Sequence, residues 1–515
     1  MSKLNVSRIS IKRDELEDRA SIEKIDRIIF WAFITALALI PILIGAKAKL
    51  FVSPLISGSG ITSTGYQLDF FTYFKLILLL IISIATLVLL LYKIYFLNYK
   101  LKLNVLTFSL VAFIVALTLS VVFAEYKSIA LWGMYNRHDG AITFISYIVL
   151  MIVALNITYP KNALNKLVYT LYPFIWINMF IAILNLYGIN ILQNSRIEKL
   201  FTLFLMDGIT LSEGAVLTGT LNQWNYMSGY SAVMATIFLT LTLFHGSVKS
   251  KVVNLLTALA AFLTILASIS TSGFITLIIM MLLVIIIIFM KKNKKESIIW
   301  LGIFIILTTI STGVLAKQNQ KVWDESLGFF IKTNPFVELE GTLEDLSFKN
   351  YKVSAADVKL ELPTLTERYY SAGSGRTYIW SNVLELIKEK PILGYGLDTL
   401  TYHFPQNDIN KRSGIYDENT LIDKPHNLYL GIMYGTGLFG LISFILILST
   451  YTLKLLKNVI KSKGSPIILA FFLGWGAFLI QAIFNDTVIG ATIVPLLTIS
   501  IIYAITDSNS HKVIS

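Results

Sequence analysis

The sequence predicts an all-α polytopic membrane protein, with about twelve spanning helices and one large loop on the outer face. Three observations predict it. The chain is 55% hydrophobic and 14% charged, with a mean hydropathy of +0.70, too little charge to coat a soluble chain of 515 residues. Apolar runs long enough for the hydrocarbon layer, about 20 residues each, recur along it. The basic residues gather in alternate connections, as positive-inside orientation demands.

Residues 1–27 alternate acidic and basic side chains and read as a cytoplasmic leader. The run 28–45 then reads as an anchor, because no small-residue cleavage pattern ends it. Further runs lie near 74–92, 103–124, 141–158, 165–186, 227–244, 252–270, 273–290 and 298–315, which makes 28–316 the first membrane part. Residues 317–425 hold no spanning run and form the large loop. Runs near 427–453, 466–484 and 487–506 make the second membrane part (426–507), and 508–515 are a tail. The connections "YKIYFLNYKLK", "HGSVKSK", "KKNKKES" and "KLLKNVIKSK" are basic, whereas "STSG" and "NDT" carry no Lys or Arg. Both termini are therefore expected in the cytoplasm, with the protein in the plasma membrane. The net charge of +12 is a topology signal on this reading, and no nucleic-acid partner is expected. The chain has no cysteine, so disulfides, thiol catalysis and cysteine metal sites are excluded. No internal repeat of the kind that builds twelve-helix transporters is evident.

The stretch 317–424 carries 16 of the 31 acidic residues and 13 basic ones. Loops of this length are usually functional when ordered. Within it "GSGRTYIWSNVLELIKEKPILGYG" (373–396) predicts an amphipathic helix. Ile379, Trp380, Val383, Leu384, Leu386 and Ile387 form its stripe, and Pro391 with Gly394 ends it. Trp and Tyr on such a helix favour the membrane–water interface.

No Walker-type loop, H-E-x-x-H, G-x-S-x-G or D-x-D pair is present, so no metal site or cofactor is expected and any phosphate must meet fixed cations. Arg137, Arg368, Arg376, Arg412 and Lys424 all fall in outer loops. Arginine offers phosphate a planar fork of donors, and Arg376 adds a helix start, whose free N–H groups favour an anion. The alternative use of such arginines is to anchor loops through carboxylates. It comes first for Arg368 and Arg412, and function comes first for Arg376 and Arg137. Three of the five histidines, His138, His403 and His426, lie in outer loops. An imidazole there can take a proton from a hydroxyl. His426 stands where the chain re-enters the membrane, and Asp139, Asp423 and Asp486 are rival bases.

Arg376, Trp380, Pro391, Gly394, Gly396, His426, Asn427, Tyr429, Leu430 and Gly437 form a series that resembles the core of the O-antigen ligase and polymerase superfamily. "TGTLNQWNYMSGY" (218–230) and "NRHDGAI" (136–142) are similar to further segments of that family. The resemblance implies a GT-C-like glycosyltransferase that passes a glycan from an undecaprenyl-diphosphate carrier to an acceptor. It implies Arg376 at the diphosphate, aided by Arg137 or Arg368, and His426 at the acceptor hydroxyl. Trp380, Asn222, Asn225, Asn427 and Tyr429 would line the substrate cavity. One departure stands out: where members carry arginine in an S-R-G turn, this chain has Ser272 followed directly by Gly273. The acceptor could be a growing polysaccharide, a lipid, a wall polymer or a protein. A lipid-linked oligosaccharide flippase and a peptidoglycan polymerase are rival readings.

Overall fold

All twelve apolar runs become helices. The computed structural model describes residues 15–55, 60–191, 194–203, 205, 219–221, 223–291, 294–331, 333–334, 375–408, 410–415, 420–461 and 465–512. In chain order these form α1 (Glu15–Leu39), β1 (Lys47–Phe51), β2 (Gly65–Asp69), α2 (Tyr73–Phe96), α3 (Val105–Phe123), α4 (Lys127–Trp132) and α5 (Ala141–Leu155). Then come α6 (Ala163–Leu186), α7 (Ser195–Phe201), α8 (Trp224–Phe244), α9 (Val248–Ala267), α10 (Thr271–Met290), α11 (Lys295–Gln318) and α12 (Gln320–Asp324). The chain closes with α13 (Arg376–Glu389), α14 (Leu400–His403), α15 (Lys411–Gly414), α16 (Leu428–Lys461), α17 (Pro466–Phe484) and α18 (Ile489–Lys512). Among the described residues, ten helices are long and apolar enough to cross a membrane. The protein is an all-α integral membrane protein whose described sheet is one antiparallel hairpin, β1 with β2.

Two of the twelve expected spans differ from the rest. Helix α5 has 15 residues, shorter than the hydrocarbon layer requires of an upright helix. Helix α1 starts at Glu15, so the charged stretch from there to residue 27 runs as helix into the first apolar run. Asp26 explains this: it is buried and pairs with the buried Lys93 of α2, and it also accepts from the Thr158 N–H at 2.8 Å.

Helix α8 is the central post. Every residue from Tyr226 to Leu243 is buried, and it packs against α9, α17 and α10. Ser228, Gly229, Ser231, Ala232 and Ala235 keep its surface small, so neighbouring backbones can approach closely. A Cβ on Gly273 of α10 would run into Ser228, which gives the Ser272–Gly273 pair a packing role.

Helix α16 breaks at Gly437, whose φ of 65° lies in the left-handed region. The turn 391–396 fills the break with main-chain hydrogen bonds. Tyr395 N–H donates to Tyr434 O and Gly396 N–H to Gly435 O, each at 2.9 Å, while Leu438 N–H donates to Pro391 O at 2.8 Å. The predicted amphipathic helix is α13, stopping at Glu389 just before Pro391. Ile379, Val383 and Ile387 form its buried face and join Tyr395, Leu400, Phe404, Ile415, Ile422 and Tyr434 in a second small core. Leu384, expected on the stripe, is exposed, because the face turns by i, i+4, i+8. The second half of the large loop is thus a folded cap seated on α16.

Candidate active site

Four connections meet on the face that carries the cap: the turn 133–140 between α4 and α5, residues 397–399, the edge 422–427, and the short link 485–488 between α17 and α18. Each brings charge. Arg137, 5% exposed, places Nε 3.1 Å from Asp398 Oδ1, and its Nη1 pairs with Asp423. Lys424 Nζ donates to Asp139 Oδ2 at 2.8 Å, and Thr487 Oγ1 donates to the same oxygen. Burial pushes Lys424 down, but Asp139 outweighs it and lifts the ammonium above its ordinary value. These two cations are used as anchors between distant parts of the chain, the alternative weighed above for outer arginines. Asp423 and Asp139, two of the rival bases, are the carboxylates that hold them.

The third rival base has a different place. Asp486 Oδ2 lies 3.0 Å from His426 Nδ1, and Asp486 Oδ1 accepts from the Asn427 N–H at 3.2 Å. Burial works to raise the Asp486 carboxyl, but His426 first, then Lys424 and Arg137, hold it below the ordinary carboxylate range. Asn427 caps α16, accepting from the Leu430 N–H at 3.0 Å. The His426 side chain stays 28% exposed, and its Nε2 has no partner among the described residues. An imidazole held at Nδ1 by a carboxylate presents Nε2 as its proton acceptor. His426, His138 and Asp398 all adopt positive φ, at 51°, 51° and 61°, a sparsely populated region that marks functional and tightly determined turns.

Arg376 opens α13. Burial pulls its guanidinium below the ordinary value, while Asp486 pulls the other way, so the two act on each other across the site. An arginine so placed remains charged. Trp380, one turn on, donates Nε1–H to Pro425 O at 2.8 Å and thereby ties α13 to the residue before His426. This is a cap contact in place of the expected interfacial one.

The remaining expected residues separate. Asn225 is half-buried, and its carbonyl accepts from Asn485 Nδ2 at 3.3 Å. Tyr429 donates to Leu479 O at 2.9 Å, on the bundle side of α16. Arg368 and Asn222 lie outside the described residues. His138 is buried, with Nδ1 3.2 Å from Asp69 Oδ2 and 2.9 Å from Thr72 Oγ1. His403 Nδ1 pairs with the Tyr434 hydroxyl at 2.8 Å, and its ring lies against Tyr395. At Ser272, where the family's arginine is missing, Gln481 of α17 donates to Ser272 O at 2.7 Å and to Thr276 Oγ1 at 2.6 Å. Asn485 Nδ2 in turn donates to Gln481 Oε1 at 2.6 Å. Asp398 and the His426–Asp486 pairing escaped the sequence reading. The one signal for Asp486 was a carboxylate in "FNDT" between two apolar runs.

A cavity of about 400 Å³ opens at this junction, with Asp398, Lys424, Asp486 and Thr487 on one side and Leu428 and Ile432 on the other. Residues 256–445 match a protein-family model described as O-antigen ligase, a stretch that contains both Arg376 and His426. A Rickettsia conorii (strain ATCC VR-613 / Malish 7) protein named "Putative polysaccharide ligase" is 26% identical over 282 residues, covering 49% of this chain and 67% of that protein. The resemblance read from the motifs is thereby borne out: the stretch that matches the O-antigen ligase family model and the similarity to a protein named a polysaccharide ligase both point to that superfamily.

Proposed function

We propose that the protein is an inverting membrane glycosyltransferase of the O-antigen ligase type. It takes a glycan from an undecaprenyl-diphosphate carrier and passes it to an acceptor hydroxyl, on the extracytoplasmic face of the plasma membrane. The observation that carries this reading is the pairing of His426 with Asp486, with Arg376 within electrostatic reach. His426 Nε2 accepts the proton of the acceptor hydroxyl while that oxygen attacks the anomeric carbon. The bond from that carbon to the diphosphate oxygen breaks on the opposite side, and its electron pair leaves with the diphosphate. Asp486 stabilises the imidazolium that forms. The Arg376 guanidinium meets the charge growing on the leaving group. Arg137 contributes by fixing the edge that carries His426, and its positive field lies within the same site. Positive charge comes from the protein, so the reaction needs no metal ion.

The test is glycan transfer in membranes supplied with the lipid-linked donor. Replacing the base, His426→Ala, is expected to lower transfer by about a hundredfold to ten-thousandfold, with Arg376→Ala similarly impaired and both proteins present at normal levels. Retained transfer in both variants would sink the assignment, as would loss of activity on adding EDTA. The acceptor follows from mass spectrometry of the carrier lipid in cells lacking the protein. Accumulated single repeat units indicate a polymerase, and long unattached chains a ligase.

A further inference from the structure

A second chamber of about 400 Å³ lies on the far side of Asp486. Leu428, Asp486 and Thr487 line both spaces. The other walls include Tyr226 and Tyr230 of α8, Gln481 and Asn485 at the end of α17, and Ala491 and Thr492 of α18.

Its chemistry differs from that of the first space. Among the described residues no lysine or arginine lines it, and its charged wall is the Asp486 carboxylate. A phosphate placed here would meet the Asp486 carboxylate directly, with Lys424 and Arg137 acting on that carboxylate from outside the lining. The polar groups are neutral and partly uncommitted. Tyr230 is 4% exposed, and its hydroxyl has no hydrogen-bond partner, while its ring stacks edge-on against Phe174. Gln481 is fully engaged, with its amide on Ser272 and Thr276 and its oxygen on Asn485. The Asn485 amide nitrogen is engaged too, which leaves its side-chain oxygen as an acceptor. Aromatic faces beside amide and carboxylate acceptors, with one hydroxyl unmet, suit a ring that carries C–H faces and hydroxyl edges. An isoprenoid chain would leave the Tyr230 hydroxyl and the Asn485 oxygen without partners in a buried space.

We propose that this chamber is a sugar subsite, which takes one uncharged pyranose residue of the glycan against Tyr230, Asn485 and Asp486. The sugar would then sit one wall away from His426, so a single carboxylate would orient both the base and the ring beside the reacting bond. This rests on the glycosyltransferase reading, but binding can be measured without turnover.

The experiment is saturation-transfer NMR on the full-length protein in nanodiscs. The probes are methyl glucoside, methyl galactoside and methyl N-acetylglucosaminide, with methyl glucuronide as the charged control and farnesol as the isoprenoid control. At least one neutral glycoside is expected to receive saturation from the wild-type protein and equally from His426→Ala, which cannot transfer. Tyr230→Phe, which keeps the ring shape, should weaken that binding roughly fivefold through one lost hydrogen bond, and Ala491→Phe, which fills the chamber, should abolish it. The proposal is overturned by any of four results: no neutral glycoside binding, binding unchanged in both chamber variants, methyl glucuronide binding as well as the neutral probes, or farnesol as the probe that Ala491→Phe displaces. If His426→Ala and Arg376→Ala retain transfer while glycoside binding behaves as expected, the catalytic reading fails and the sugar subsite stands.

Discussion

The turn at 137–139 and the edge at 424–427 bring the same kinds of side chain to the same face, yet they are built for different work. In the turn, Arg137, His138 and Asp139 are all buried, and each is paired with a group from a remote segment. At the edge, His426 is held at one nitrogen, stays partly exposed and has its other nitrogen unpaired among the described residues. A residue type therefore says little here about role. What separates the anchor from the proposed reactive group is burial between remote partners: Arg137 and Asp139 are enclosed, whereas His426 stays partly exposed.

The largest expected effect tests that difference on two histidines. His426→Ala should reduce transfer by about a hundredfold or more with an unchanged melting temperature, whereas His138→Ala should lower the melting temperature and reduce transfer only in step with folded protein. A reversal of the two would break the comparison. Arg137→Ala comes next. It leaves the buried Asp398 carboxylate and the partly exposed one of Asp423 without their cation, a loss of about 3–5 kcal/mol of stability, read as a lower melting temperature in detergent. If instead the fold is unchanged and only donor binding is lost, Arg137 serves the diphosphate directly.

A smaller effect is expected at the break in α16. A methyl group at Gly437 meets the backbone of Ile392 and forces a side chain into positive φ, so Gly437→Ala should cost about 1–3 kcal/mol. It should also speed proteolysis of the cap before that of the bundle. The smallest is a pH effect on the Lys424–Asp139 pair. The folded-state pKa of Lys424 is raised, so its stabilisation is complete below the unfolded value, about 10.4, and is lost as pH rises through the higher folded one. Thermal unfolding of the wild type minus that of Lys424→Met should therefore stay constant from neutral pH to about 10 and shrink only above it. A difference that shrinks already between pH 7 and 9 would show that the pair is not ionised as described.

Much of the bundle was legible because hydrocarbon thickness imposes a length on apolar runs that needs no knowledge of partners. Helix α13 was legible for a similar local reason, since its stripe and its terminating proline both lie within it. Arg376 and His426 were singled out by their chemistry and by the resemblance. Their setting was not. Arg137 meets Asp423 across 286 positions, and Asp139 meets Lys424 across 285, distances over which one sequence carries no pairing signal. The same holds at the start of the chain. Asp26 looks solvated until Lys93 is known to lie beside it. The break at Gly437 was hidden inside an unbroken apolar run, because it exists only where another segment enters.

That entry has a further consequence. The cap grips α16 through peptide groups, at Tyr395, Gly396 and Leu438, and such contacts do not depend on which side chains the two segments carry. A joint of this kind needs room more than identity: glycine where the strands touch, and freedom elsewhere. Side chains on either surface of this joint can then be exchanged without disturbing how Arg376 is presented to the site. The protein thus has a fixed socket beside the edge that carries His426, whose register is set by the main chain.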